Sequence, residues 1–233
     1  MASVADVTVV LVHGAWGDGS GWRKVIPLLH RQGLPVVAVQ NPTTSLADDV
    51  AATRMALASI AGPVVLVGHS WGGTVITEAG NDPKVKALVY VAAFAPEAGQ
   101  STGDQVGAHP APPGLSGVKD DGTGHLKMSV ESWITNVAQD LPEEEARVLA
   151  AVQPPLGLAT FTDTVTRPAW ADRPNWYIVS LNDRAVSVEL QQELAARLKA
   201  RTTELPAGHM SLLSAPEAVA KVIAEAAASL AAG

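Results

Sequence analysis

The sequence predicts an α/β fold in which a mostly parallel sheet of about six strands is flanked by helices. Short β-branched runs alternate along the chain with segments of helical periodicity, which is the pattern of βαβ units. The strand-like runs are apolar throughout, as expected when helices cover both faces of a sheet. With 233 residues, 47% of them hydrophobic and 17% charged, the chain is long enough to bury such a core.

The individual elements follow from these runs in chain order. The strand-like segments lie at residues 7–12, 35–39, 63–68, 85–91, 175–180 and 202–205. Apolar side chains recur at helical spacing between and after them, and predict helices within residues 22–29, 46–60, 190–198 and 219–230. Helices between successive strands favour parallel pairing.

The alternation is interrupted once, after the fourth strand. Residues 96–127 are rich in Gly, Pro and Asp and contain few apolar residues, so we predict a long loop. Two helices are predicted after it, in the segments SVESWITNVAQDL and PEEEARVLAAVQ. We therefore expect one structural domain, in which residues 1–95 and 169–233 form the core and residues 96–168 form a short inserted cap.

Composition excludes several classes of protein. Lys and Arg number 16 against 23 Asp and Glu, and the net charge of −7 without a basic run argues against a nucleic-acid partner. The chain has no cysteine, so disulfides, thiolate catalysis and Cys-ligated metals are excluded. The N-terminal segment lacks the basic region of a signal peptide, and no apolar run reaches about 18 residues. We expect a cytoplasmic protein without a membrane partner.

A candidate nucleophile follows the third strand run. The segment from Gly68 to Gly72 reads G-H-S-W-G and matches the G-x-S-x-G motif, in which the serine occupies a strained turn between a strand and a helix. Glycines around Ser70 leave room for such a turn, and the positive end of the following helix favours a developing oxyanion. The alternative is an ordinary tight turn, because Gly and Ser are common in turns.

A serine hydroxyl needs a base, and six histidines are available. His209 follows the last strand run and precedes the last helix, so it is the base candidate at the carboxyl edge of the sheet. His109 and His125 lie in the predicted cap loop, where they contact either substrate or solvent.

The base needs an acid that orients it. Asp183 directly follows the strand run at 175–180, although an aspartate there also serves as a helix cap. Glu97, after the fourth strand run, is the rival. The order Ser70, Asp183, His209 is that of the α/β-hydrolase triad.

The loop after the first strand run, HGAWGDGSGW at residues 13–22, is the candidate second half of an oxyanion hole. Its glycines allow close approach, so the backbone N–H groups of Ala15 and Trp71 become the two donors. His13 is expected to brace this loop. The loop lacks the lysine of a phosphate-binding P-loop and the full G-x-G-x-x-G spacing, which argues against nucleotide binding.

Aromatic residues supply candidate pocket walls. Trp16 lies in the oxyanion loop, whereas Trp133 and Phe161 lie in the predicted cap. Core packing is the alternative role for the two cap residues.

The segments LVHGAWGDGSGW, LVGHSWGG, ALVYVAAFAPEAGQS, WYIVSLNDRAV and AGHMSLLSAPEAVA resemble the α/β-hydrolase superfamily. The resemblance is to the branch of small bacterial carboxylesterases, plant methyl-ester esterases and hydroxynitrile lyases. It implies Ser70 as nucleophile, His209 as base, Asp183 as acid, Ala15 and Trp71 as oxyanion donors, a cap over the pocket and no cofactor.

Two departures from the family pattern stand out. The sheet begins at the superfamily's third strand, and the first half of the cap is unusually rich in Gly and Pro. Hydroxynitrile lyases of this branch use a cap lysine near the serine, and the cap lysines here are Lys119 and Lys127.

The expected function is therefore that of a serine esterase, which cleaves small carboxylic esters through an acyl-enzyme without a metal or cofactor. The alternatives are a hydroxynitrile lyase that uses the same triad and a non-catalytic ligand-binding protein. The expected partner is a small-molecule ester, and the expected state is a monomer or homodimer.

Overall fold

The computed structural model describes residues 6–231. Its strands are β1 (Thr8–Val12), β2 (Val36–Ala38), β3 (Val64–His69), β4 (Val85–Val91), β5 (Val118–Asp120), β6 (His125–Met128), β7 (Leu156–Gly157), β8 (Asn175–Ser180) and β9 (Arg201–Leu205). Its α-helices are α1 (Ile26–Arg31), α2 (Leu46–Ala58), α3 (Trp71–Ala79), α4 (Thr102–Gly107), α5 (Val130–Ser132), α6 (Glu143–Val152), α7 (Ala159–Thr162), α8 (Val188–Arg197), α9 (Ser211–Ser214) and α10 (Pro216–Ala231).

The main sheet has six parallel strands in the order β2-β1-β3-β4-β8-β9. All six coincide with the strand runs expected from the sequence, so the predicted fold class is confirmed. After β1 the chain adds β2 on one side of it. It then crosses to the other side of β1, where β3, β4, β8 and β9 are added in order. The carboxyl ends of β1 and β3 therefore flank the point where the strand order reverses, which is where ligands bind in open α/β sheets.

Alternate residues of the central strands enter two different cores. Val9 and Leu11 of β1 pack on one face of the sheet with side chains of α1 and α10. Val10 and Val12 pack on the other face with side chains of α2, α3 and α8. Helices therefore cover both faces, which explains why the strands are apolar at every position. Within residues 6–231, no helix is long and apolar enough to cross a membrane.

The prediction of a continuous loop over residues 96–127 is wrong. Helix α4 begins after Ser101, whose side chain accepts from the Asp104 N–H while the Asp104 carboxylate accepts from the Ser101 N–H, a capping box. Strands β5 and β6 then form an antiparallel hairpin, with Gly122 and Gly124 in its turn at φ values of 75° and 87°. Local hydrogen bonding and turn glycines build these elements without an apolar periodicity.

The two helices expected after this segment differ in regularity. The second is α6, as predicted. The first is a single turn, α5, that continues as a π-helical turn over Trp133–Val137. Strand β7 pairs with β6 to complete a small antiparallel sheet, and the Glu145 carboxylate of α6 forms ion pairs with Arg23 and Lys24. The division into core and cap stays a prediction.

Candidate active site

Ser70 lies on a strained turn between β3 and α3. Its backbone has φ 54° and ψ −123°, a conformation that non-glycine residues rarely adopt and that costs on the order of 1–3 kcal/mol. The surrounding backbone fixes it, because the Ser70 N–H donates to the Val91 carbonyl at 3.1 Å. The Ser70 carbonyl in turn accepts from the N–H groups of Gly73 and Phe94 at 2.9 and 3.2 Å.

Two glycines make this turn possible. A Cβ atom at Gly68 would lie 2.5 Å from the carbonyl oxygen of Gly72, so no side chain fits at position 68, two residues before the serine. A Cβ atom at Gly14 would lie 2.8 Å from the Ser70 Cβ, so the loop after β1 runs directly against the serine. These contacts bring together the two segments that the sequence assigned to one site.

Asp183 and His209 form a buried pair. His209 Nδ1 lies 2.7 Å from Asp183 Oδ2, and the two side chains are 6% and 0% exposed. A carboxylate can only accept, so Nδ1 carries the proton and Nε2 is the nitrogen left to accept a proton from a nucleophile. Both His209 and Ser70 line the same cavity.

The Asp183 carboxylate is held by further donors. Its Oδ1 accepts from the N–H groups of Ala185 and Val186 at 2.8 and 2.9 Å. Its Oδ2 also accepts from Gln191 Nε2 at 2.9 Å. Sequence reasoning missed Gln191, although its position eight residues after Asp183 places it on the first turns of α8, facing that loop.

His69 supports the loop that carries His209, the candidate base. Its Nε2–H donates to the His209 carbonyl at 2.9 Å, and the two imidazole rings lie 4.7 Å apart. Burial lowers the pKa of His69 well below its ordinary value, and the neighbouring His209 lowers it further. His69 is therefore neutral and serves as a fixed hydrogen-bond donor.

The candidate oxyanion donors lie on both sides of Ser70. Trp71 is the first residue of α3, so its N–H has no acceptor within the helix. Ala15 lines the same cavity from the loop after β1. His13 accepts from the Asn41 N–H through Nε2 and donates through Nδ1 to the Gly14 carbonyl, so it braces that loop. Burial lowers the pKa of His13.

The cavity at Ser70 has mostly apolar walls. Trp16, Trp133 and Phe161, the three predicted pocket residues, all line it. Side chains that sequence reasoning did not single out complete the walls: Phe94, Val106, Leu115, Met128, Leu156 and Leu212. Val106, Leu115 and Met128 lie in or directly after the segment predicted as a loop, so no helical or strand periodicity indicated which way their side chains point.

The remaining sequence candidates lie elsewhere. Glu97 is exposed and lies 4.0 Å from Arg197, not beside His209. His109 pairs with Glu193, and His125 contacts the Thr123 hydroxyl.

The two lysines of the predicted cap also lie away from the site. Lys119 and Lys127 are both exposed, and neither belongs to the lining of the cavity.

The model of the alpha/beta hydrolase family matches residues 9–222 of this chain. The chain belongs to the alpha/beta hydrolase family. The resemblance inferred from the motifs is thereby confirmed.

Individual relatives of this alpha/beta hydrolase are named as hydrolases. "Probable hydrolase R7" of Phoma sp. is 27% identical over 239 residues, which cover 93% of this chain and 96% of the relative. A "Carbendazim hydrolyzing esterase" of Nocardioides sp. is 34% identical over 106 residues, which cover 40% of this chain and 44% of the relative. The crystal structure of a pyrethroid hydrolase from Sphingobium faniae has a TM-score of 0.82 and 23% identity, covering 97% of this chain and all 100% of that one.

A second buried carboxylate in this alpha/beta hydrolase was missed by sequence reasoning. Asp49 of α2 is 0% exposed, and its Oδ2 accepts from the indole Nε1–H of Trp71 at 2.7 Å. Helical spacing gave a signal, because Asp49 lies three residues after buried Leu46 and four before buried Thr53. However, an acidic residue in the first turn of a helix is usually exposed to solvent, as the neighbouring Asp48 is. The sequence therefore did not distinguish the buried Asp49 from the exposed Asp48.

The described residues, 6–231, contain no group of three or more His, Asp or Glu side chains arranged to hold a metal ion.

Proposed function

We propose that this alpha/beta hydrolase is a serine carboxylesterase that cleaves small carboxylic esters through an acyl-enzyme. The observation that carries the proposal is the 2.7 Å contact between His209 Nδ1 and Asp183 Oδ2 beside the cavity that Ser70 lines. This contact leaves His209 Nε2 as the acceptor for a serine proton. The strained Ser70 backbone and an esterase among the relatives support the same reaction.

The proposed reaction has two halves. Ser70 Oγ attacks the ester carbonyl while His209 Nε2 takes its proton, and the N–H groups of Ala15 and Trp71 bind the oxyanion. Collapse of the tetrahedral intermediate expels the alcohol, which receives the proton from His209. A water molecule, activated by His209, then attacks the acyl-enzyme and releases the acid. Asp183 fixes the imidazole tautomer and stabilises its positive charge throughout.

The cavity walls favour uncharged esters with apolar acyl and alcohol parts. Its lining includes Phe94, Met128, Trp133 and Leu156, and an ionised substrate group placed against them would lose its hydration without a counter-charge. We propose that residues 96–168 act as a cap that supplies part of these walls, including Met128, Trp133 and Leu156. The proposed partner is a small-molecule ester.

Replacement of the nucleophile tests the function. Ser70→Ala is expected to lower kcat for p-nitrophenyl butyrate by at least about 10⁴-fold, because the attacking oxygen is lost while the pocket stays. A fluorophosphonate probe is expected to label the wild type at Ser70. The matched control is Ser59→Ala, at an exposed serine of the α2 C-terminus, which keeps full activity.

Three results would contradict the proposal. Ester hydrolysis retained by a folded Ser70→Ala variant removes Ser70 as nucleophile. Cleavage of mandelonitrile by a wild type that leaves esters intact favours a lyase. Ligand binding without fluorophosphonate labelling of Ser70 favours a non-catalytic binding protein.

A further inference from the structure

Asp49 is a buried acid that the proposed reaction does not use. Its two carboxylate oxygens accept from two different segments: Oδ2 from the indole Nε1–H of Trp71 and Oδ1 from the backbone N–H of Thr43, both at 2.7 Å. Both donors are neutral, so neither supplies a positive charge to offset the burial of the carboxylate. Burying the Asp49 carboxylate therefore costs desolvation free energy that packing alone does not explain.

The first contact reaches the residue that follows the nucleophile. Trp71 is 3% exposed, belongs to the lining of the cavity and carries one of the proposed oxyanion donors on its backbone. Its indole and its N–H share one Cα atom, so fixing the ring in one rotamer also limits rotation of the backbone at this position. The turn at Ser70 is strained, and strained turns persist only where their surroundings determine them.

The second contact reaches the proposed cap. Thr43 has φ 57°, and its N–H bond to Asp49 holds this unusual conformation. The Thr43 carbonyl accepts from the Gly157 N–H at 2.8 Å, and the single proton of the Thr43 hydroxyl is shared between the carbonyls of Pro42 and Pro155 at 2.7 and 2.9 Å. One carboxylate therefore joins the turn after Ser70 to the segment that carries β7.

The requirement at this position is for two acceptors and no donor. An asparagine would offer one oxygen and one NH₂ group, so an N–H group would face either the Trp71 indole or the Thr43 N–H. An apolar residue would leave both donors buried without an acceptor. Only a carboxylate of this length satisfies both.

We propose that Asp49 is a positioning residue for ester hydrolysis, which holds the Trp71 indole so that the backbone N–H after Ser70 points at the developing oxyanion. The inference rests on the proposed esterase function. Asp49 acts through Trp71 and does not touch the reacting atoms.

A double-mutant cycle on the full chain tests this role. Asp49→Asn and Trp71→Phe, which removes the indole N–H but keeps a ring, are each expected to lower kcat for p-nitrophenyl butyrate by about tenfold to a hundredfold with little change in KM. The double variant is expected to have about the same kcat as the less active of the two single variants, because both changes break the same hydrogen bond. Asp48→Asn, at the adjacent exposed carboxylate, is the control that keeps wild-type activity.

Inhibition by a trifluoromethyl ketone gives a second readout. This compound forms a tetrahedral adduct with a serine and places an oxyanion in the hole, so its Ki is expected to rise in Asp49→Asn by the factor by which kcat/KM falls. A purely structural role of Asp49 would lower the stability of the fold without this parallel change.

Several outcomes would overturn the proposal. They are kcat within twofold of wild type in a folded Asp49→Asn variant, losses that multiply in the double variant, or an effect confined to KM. If Asp49→Asn does not fold, Trp71→Phe decides alone, and an unchanged kcat there rejects the role. A wild type that neither hydrolyses esters nor reacts with a fluorophosphonate rejects the esterase function itself, whereas an active wild type with an unaffected Asp49→Asn variant rejects only the positioning role.

Discussion

Two buried aspartates near Ser70 make similar contacts and differ in their partners. Asp183 accepts from the Nδ1–H of His209, and Asp49 accepts from the Nε1–H of Trp71, each at 2.7 Å. An imidazole can take a second proton and become a cation, whereas an indole cannot. Asp183 can therefore stabilise charge that forms during a reaction, while Asp49 can only hold a neutral ring in place. The partner ring, more than the burial of the acid, indicates what a buried carboxylate does.

The two regions also differ in how well the carboxylate is solvated by the protein. Asp183 accepts from two backbone N–H groups, Gln191 and His209. Within residues 6–231, the donors to the Asp49 carboxylate are the Thr43 N–H and the Trp71 indole alone, and burial raises the pKa of Asp49 to about 6. The two hydrogen bonds lower this pKa, and the adjacent Asp48 raises it slightly.

The largest effect that separates the two regions is expected from Asp183→Asn. The amide can present its NH₂ group to His209 and stabilise the wrong tautomer, so kcat should fall by about 10⁴-fold with the fold retained. Steady-state kinetics on p-nitrophenyl butyrate measure it. Glu97→Gln, at the rival acid, should leave kcat unchanged. A large loss from Glu97→Gln in place of Asp183→Asn would show that the acid is misassigned.

A smaller effect is expected from Gln191→Met. This change removes one donor to Asp183 and leaves the Ser180 N–H without the Gln191 Oε1 acceptor, so the free energy of unfolding should fall by about 2 kcal/mol. The less restrained Asp183 should also lower kcat by about tenfold. Denaturant unfolding and kinetics on the same preparations measure both. Gln192→Met, next along α8 and exposed, is the control, and equal behaviour of the two variants would contradict a supporting role for Gln191.

The smallest effect concerns the pH dependence of stability at Asp49. The pKa of Asp49 is about 6 in the folded protein against an ordinary value of 3.8. Between these two pH values the folded state therefore keeps the proton on the Asp49 carboxyl, whereas the unfolded chain has lost it. The stabilisation is fully present below pH 3.8 and is lost as pH rises through about 6. The wild type should therefore gain about 1.4 kcal/mol relative to Asp49→Asn between pH 7.5 and pH 5.

Urea unfolding at the two pH values measures this difference. Asp48→Asn provides the matched control, because hydrogen bonds from Thr44 and Ser45 lower the pKa of Asp48 below its ordinary value. Its own titration lies below this interval, so the pH-dependent difference expected for Asp48→Asn is only the small one that comes from the effect of the Asp48 charge on the Asp49 pKa. The same stability difference between wild type and Asp49→Asn at pH 7.5 and pH 5 would show that the Asp49 pKa is not raised.

The sheet and the residues at its carboxyl edge were predictable from the sequence. Apolar runs mark all six main strands, and Ser70, Asp183 and His209 each follow one of those runs. Because parallel strands end at one edge, residues far apart in sequence meet there without any knowledge of their side-chain contacts. Backbone topology alone therefore brings these three residues to one edge.

The structure of residues 96–127 and the Asp49 contacts were not predictable by the same reasoning. The hairpin of β5 and β6 contains the segment KDDGTG, where turn glycines and local hydrogen bonds replace an apolar pattern. Asp49 and Asp48 are identical side chains at successive positions, and only the packing of α2 against α3 decides which is buried. Specific tertiary contacts of this kind leave no periodic signal in the chain.

Residues 96–168 and the sheet share one hydrophobic cluster, in which Met128, Trp133 and Val137 pack together with Leu11 and Val67. Lifting residues 96–168 would expose to water the apolar side chains by which they join this cluster, so the free energy of such an opening rises with the apolar area exposed. Substrate entry by local rearrangement of side chains and turns is less costly. Because they share this cluster, we expect residues 96–168 and the sheet to unfold in a single cooperative transition.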